Sequence, residues 1–109
     1  MSHEKFQFCV EASLNCAVKS KQCASACLDE LDIQKLARCI RLNHDTAAIC
    51  LFAMEAMEGG SEFVQRIYQL CSDICAASAK ECEKFPEYEY CRDCAEACRN
   101  CVGVCEGMC

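Results

Sequence analysis

The strongest constraint on this chain is the placing of its cysteines, 15 in 109 residues. On a wheel turning about 100° per residue, Cys9, Cys16, Cys23 and Cys27 fall within about 40° of one another. Cys39 and Cys50 differ by only about 20° on the same wheel. Cys71, Cys75 and Cys82 again share about 40°. Cys91, Cys94, Cys98, Cys101, Cys105 and Cys109 occupy about 80°, spread along roughly 27 Å of helix axis. Four separate stretches thus each carry one narrow stripe of thiols. That pattern suits helices that turn sulfur inward, and no strand alternation competes with it.

The breakers agree with four helices. There are four Gly and one Pro, and they fall where helices should end. The spacing predicts helices over about 4–28, 32–58, 61–84 and 87–107. Asp29 or Asp32 can cap the second, Gly59-Gly60 closes it, Ser61 can cap the third, and Pro86 suits the start of the fourth. Long helices joined by short links make antiparallel neighbours, so the expected fold is all-α. Residues 1–109 are read as a single up-down four-helix bundle with a Cys-lined interior. Leu, Ile, Val and Phe together number only 22, a thin supply for a core of this length. Protonated thiols, which behave as small hydrophobes, must fill part of it. Ser13, Ser20 and Ser78 interleave with the cysteines, and Asn43 and Thr46 lie between Cys39 and Cys50. Larger apolar residues one step round the wheel, such as Val10, Leu28, Ile40 and Leu51, are expected to do the ordinary helix packing.

Charge narrows the partners. Seventeen acidic against 11 basic residues give a net −6, which disfavours nucleic acid and anionic membrane. No apolar run approaches the roughly 18 residues that span a bilayer. The first residues lack a charged start followed by an apolar stretch, so a cytosolic protein is expected.

In a reducing compartment disulfides are disfavoured. Neighbours at i,i+4 also hold their Cβ atoms about 5–6 Å apart, beyond the roughly 3.5–4.5 Å a disulfide needs. Cross-helix pairs stay open, but two thiolates at that spacing fit one metal ion better. Thiolate-only sites select Cu(I), Zn2+ or iron–sulfur clusters. The fourth helix reads C-x2-C-x3-C-x2-C, which is not the ferredoxin spacing. Zn2+ with four thiolates leaves a net −2 inside a bundle whose stripes contain no Lys or Arg. Cu+ replaces a thiol proton charge for charge, so many ions can be stacked without accumulating charge. Cu(I), several ions per chain, is the expected cargo.

With these stripes the chain resembles the four-helix-bundle copper storage proteins of bacteria, in their cytosolic branch. The likeness rests on Cys23-x3-Cys27, Cys71-x3-Cys75 and the run from Cys91 to Cys109, and it covers essentially the whole chain. The resemblance implies a homotetramer of bundles, each storing many Cu(I) ions along its axis and filled from one end. Antiparallel packing gathers His3, Cys9, Met54, Met57, Met108 and Cys109 at such an end. Met54 and Met57 lie within about 60° of Cys50. Their neutral thioethers suit passing Cu(I) to thiolates, the plain alternative being gap-filling core residues.

His3 reads as a terminal residue and His44 as a surface or subunit-contact residue. Asn43 and Thr46 read as buried groups bonded to backbone, and Tyr68, Tyr88 and Tyr90 as packing at the bundle ends. No activated Cys–His pair or Ser/His/Asp set argues for an enzyme. The competing readings are a zinc or toxic-metal buffer and a thiol-redox-regulated interaction protein.

Overall fold

A computed structural model describes the backbone of residues 3–106 and the side chains of 6–106. Four antiparallel helices, α1 (His3–Cys27), α2 (Ala37–Glu58), α3 (Val64–Cys82) and α4 (Glu89–Cys105), form a slender bundle of 45 × 19 × 17 Å. Each helix packs on its sequence neighbours and α4 closes the ring on α1. All four therefore surround one axis. One end of that axis, called the mouth after the entry that the family resemblance implies, collects the start of α1, the end of α2, the start of α3 and the end of α4.

The turns explain where the helices stop. After α1, Asp29 and Glu30 donate back to Ala26 and Cys27 carbonyls. A short 3-10 turn, Ile33–Leu36, then precedes α2. Neither expected aspartate caps it: Asp32 flanks the 3-10 turn without a side-chain bond, and α2 starts at Ala37 after Leu36 is buried. At the end of α2, Gly60 takes φ +66° and Ser61 N–H donates to Ala56 O at 2.9 Å. That left-handed residue satisfies a terminal carbonyl, as expected of Gly after a helix. Ser61 Oγ accepts from Phe63 N–H at 3.1 Å, which organises the turn, and α3 begins three residues later than the hydroxyl.

The core differs from an ordinary bundle. Its buried apolar residues are overwhelmingly Cys and Ala, with Leu36, Met57 and Tyr68 as the large exceptions. Leu28 and Leu51, expected to pack between helices, are exposed, as are Phe8, Leu14, Val18 and Phe52. Small inward side chains let the helices approach closely and displace the bulky ones outward. Buried Glu81 is held by Arg38 Nη1 at 2.7 Å and Lys84 Nζ at 2.8 Å, tying α3 to α2. Arg99 forks onto Glu83 at 2.8 and 3.1 Å, tying α4 to α3.

The end opposite the mouth is closed by aromatic residues. Tyr88 and Tyr90 stack with centroids 5.2 Å apart, and Lys35 lies over the Phe85 and Tyr88 rings. Tyr90 Oη donates to Glu30 Oε2 at 2.8 Å, joining α4 to the turn after α1. Burial, then the Glu30 carboxylate, holds the Tyr90 phenol well above its ordinary pKa.

Candidate metal centre

All fourteen cysteines from Cys9 to Cys105 are buried and face the axis. Their sulfurs meet across helices as well as along them. Cys16, Cys50, Cys75 and Cys101, one from each helix, hold their sulfurs within 4.8 Å of one another. Cys98 Sγ lies 3.6 Å from Cys16, and Cys71 Sγ lies 3.7 Å from Cys50. Nearer the closed end, Cys23, Cys27, Cys39 and Cys91 form a second four-sulfur group. Cys23 also groups with Cys82 and Cys94, and Cys82 Sγ lies 3.5 Å from Cys39. Sulfur–sulfur separations of 3.5 to 4.0 Å let one ion with bonds of about 2.3 Å touch two, three or four of them.

One cross-helix pair departs from the expectation that every cysteine offers a thiolate. Cys9 on α1 and Cys105 on α4 are joined as a disulfide, with Cα atoms 5.2 Å apart. Cross-helix geometry allows what i,i+4 geometry forbids. In this state the two sulfurs are withdrawn from the ligand set, and reduction returns them to it. Cys109 and Met108 lie outside the described residues, as does the side chain of His3.

Proton affinities within the groups are strongly divided. Around Cys16, Cys101 pushes the thiol up, but hydrogen bonds from Cys50, Cys75 and Cys98 outweigh it and bring the pKa down from 9.0 to about 5. Its neighbours Cys50 and Cys75 are pushed up, chiefly through their contacts with Cys101 and Cys16. Cys27 is raised to about 12, first by burial and then by the adjacent Cys39 and Cys91. A group of this kind sheds its low-affinity protons readily, Cys101 being lowered as well as Cys16, because the remaining S–H groups donate to the thiolates. It then holds the others until something positive replaces them. A soft monovalent cation does so without leaving net charge, and among the described residues no Lys or Arg is buried to balance an excess of thiolates.

The mouth contains two of the expected thioether positions. Met57 is buried and Met54 is half-buried. Tyr68 sits deeper than simple end packing requires: it is 1% exposed, and its Oη lies 3.9 Å from Met57 Sδ. Burial raises its phenol pKa, so it meets the site as a neutral donor. With Ser72 and Val102 it lines a cavity of about 10 Å³ against Cys71, Cys75, Cys101 and Cys105. Thr46 donates to Leu42 O at 2.8 Å, a bond to backbone. Asn43 does otherwise. Its Nδ2 donates to Cys39 Sγ at 3.7 Å, while its Oδ1 accepts from Ser78 and Cys94, both at 3.3 Å. The register in sequence, four residues after Cys39, was its only signal. His44 is exposed and away from the sulfur, where its Nδ1 accepts from Lys21 Nζ at 3.5 Å.

Comparison with known proteins agrees with this geometry. The family model described as copper storage protein matches residues 2–109. The cysteine-rich protein YhjQ of Bacillus subtilis (strain 168) is 39% identical over 100 residues, covering 92% of each chain. The Cu(I)-bound copper storage protein BsCsp3 superimposes with TM-score 0.89 at 38% identity, covering 95% of this chain and 97% of that one. A cytosolic copper storage protein from Streptomyces lividans, solved with five coppers, gives TM-score 0.92 at 34% identity, covering 96% and 92%. A sulfur-lined bundle axis, matched along nearly its whole length, makes this chain a member of the copper storage protein family.

Proposed function

We propose that the protein sequesters many Cu(I) ions along its axis, in the cytosol, as a store rather than a catalyst. The observation that supports this most directly is the column of thiols contributed by all four helices, with no buried Lys or Arg beside it among the described residues. Each sulfur can bridge two Cu(I) ions and each ion needs two or three sulfurs, so capacity approaches one ion per thiolate. The soft thioethers of Met54 and Met57 stand at the mouth, where an arriving ion would first meet sulfur. No helix among the described residues is long and apolar enough to cross a membrane. The cytosolic setting follows the Streptomyces relative and keeps Cys9 and Cys105 reduced. Outward Phe8, Leu14, Val18 and Phe52 offer apolar surface for the homotetramer the family resemblance implies.

Anaerobic titration of the reduced protein with Cu(I) tests the reading. Saturation is expected at on the order of ten or more ions per chain. Zinc, wanting about four thiolates apiece, would stop near three. A Cu(I) endpoint of one to four, or displacement of Cu(I) by equimolar zinc, overturns the storage reading. Light scattering on the same sample should give four chains per particle, and a monomer would refute the tetramer alone.

A further inference from the structure

Three of the four helices interrupt their sulfur stripe at one level of the bundle. Ser20 stands between Cys16 and Cys23 on α1, Asn43 and Thr46 between Cys39 and Cys50 on α2, and Ser78 between Cys75 and Cys82 on α3. All four side chains are fully buried. Contacts fix the common height of Ser20, Asn43 and Ser78. Ser78 Oγ and Cys94 Sγ both donate to Asn43 Oδ1 at 3.3 Å, and Ser20 Oγ lies 3.7 Å from Cys94 Sγ. Only α4 carries sulfur through this polar waist, with Cys94 and Cys98 on successive turns.

The two cysteines belong to different groups. Cys98 lies 3.6 Å from Cys16 on the mouth side, whereas Cys94 groups with Cys23 and Cys82 on the inner side. Cys94 and Cys98 stand one turn apart on the same face of α4, a spacing that puts their Cβ atoms about 5–6 Å apart. Among the described residues, no cysteine pair in hydrogen-bond contact and no group of three close sulfurs joins the two sides, so the four-residue step from Cys98 to Cys94 is the shortest sulfur-to-sulfur step along any helix across the waist.

We propose that the waist divides the store into two chambers, and that Cu(I) reaches the inner one by passing from Cys98 to Cys94. The proposal rests on the axial storage reading and adds a route to it. Serine, threonine and amide oxygens are hard donors and hold Cu(I) poorly, so a soft ion crosses where sulfur is continuous. Cu(I) tolerates two or three sulfurs, so the ion gains Cys94 before it loses Cys98. The Cys94 proton leaves as the ion arrives, and Cys98 takes up a proton or the next Cu(I). Charge is balanced at each stage and no electron moves. Asn43 Oδ1, by accepting from the Cys94 thiol, holds the receiving sulfur at the crossing.

The experiment compares anaerobic Cu(I) uptake by the reduced wild type and by Cys94→Ser, each loaded for the time that saturates the wild type. Six of the fourteen described cysteines, Cys23, Cys27, Cys39, Cys82, Cys91 and Cys94, lie on the inner side. The variant should therefore lose roughly two fifths of capacity, not the share of a single thiol. Adding Ser78→Cys to that variant supplies a sulfur step on α3 and should restore most of the loss. A one-thiol loss with unchanged kinetics, or no rescue, overturns the conduit. Should Cys94→Ser fail to give the helical far-UV spectrum, Ser78→Cys alone decides: it should speed the late phase of loading, and an unchanged rate refutes the proposal. A wild type that saturates at one to four ions instead refutes storage itself, so the two failures are distinguishable.

Discussion

Glu81 shows how a single buried charge can be favourable in a molecule so poor in bulky core residues. It is 4% exposed, and burial alone would raise its pKa. Hydrogen bonds and charge from Lys84 and Arg38 win, holding the carboxyl below its ordinary 4.5. Because the folded value is depressed, the stabilisation is fully present above 4.5 and is lost as pH falls through the folded value. Glu81→Gln should lower the unfolding free energy by about 1–2 kcal/mol at neutral pH, the two cations being free to turn to water. In urea titrations of reduced, metal-free protein the gap to wild type should close below pH 4.5. A gap equally wide in acid would mean that packing, not the ion pairs, is the source. Neither Glu81 nor the true partners of Asn43 could be read from the sequence. The Arg38 half of the first and the Ser78 and Cys94 contacts of the second depend on the axial register between helices, which a hydrophobic period leaves open. The inward cysteines were legible because their placing is a property of each helix alone.

At the scale of the element, two glycines separate backbone needs from space. Gly60, after α2, has φ +66°, and an added Cβ would meet nothing within 4 Å. Gly103 is an exposed position inside α4, and its Cβ would likewise meet nothing within 4 Å. Space is therefore equal and conformation decides. Gly60→Ala should destabilise by about 1 kcal/mol, because an L side chain is strained in the left-handed region. Gly103→Ala should stabilise by about 0.5–1 kcal/mol through helix propensity and the entropy of the unfolded chain. Thermal melts that move in the same direction for both would contradict the assigned end of α2. That end was legible from Gly59-Gly60, since the left-handed closure needs such a residue. The starts of α2, α3 and α4 were not: these helices begin at Ala37, Val64 and Glu89, three or more residues beyond Asp32, Ser61 and Pro86. Polar turn formers mark where a link lies more reliably than where the first helical residue sits.

For the whole molecule, the fold class was legible because all four helices repeat one device, but the surface was not. Wheel positions next to the cysteines suggested Leu28 and Leu51 as packing residues, yet Cys and Ala fill a cross-section too narrow to admit them. A core of sulfur and methyl groups bears directly on the metal-free state. Protonated thiols are apolar, so they can be buried without a metal. Among the described residues every buried side-chain nitrogen and oxygen also has a hydrogen-bond partner. The reduced, metal-free protein should therefore be mostly helical and melt cooperatively, unlike a zinc finger that folds only around its ion. Cu(I) then binds a folded chain and stabilises it by mass action, by about 2.7 kcal/mol per independent site at a hundredfold excess over its dissociation constant. Two or three filled sites should raise the melting temperature by about 20 °C or more in a chain of this size. Far-UV circular dichroism with and without Cu(I) measures both effects, under anaerobic conditions that keep Cys9 and Cys105 reduced. A coil-like spectrum before metal is added would show that sulfur alone cannot hold these helices together. A helical spectrum whose melt does not move on loading would show that copper binds outside the core.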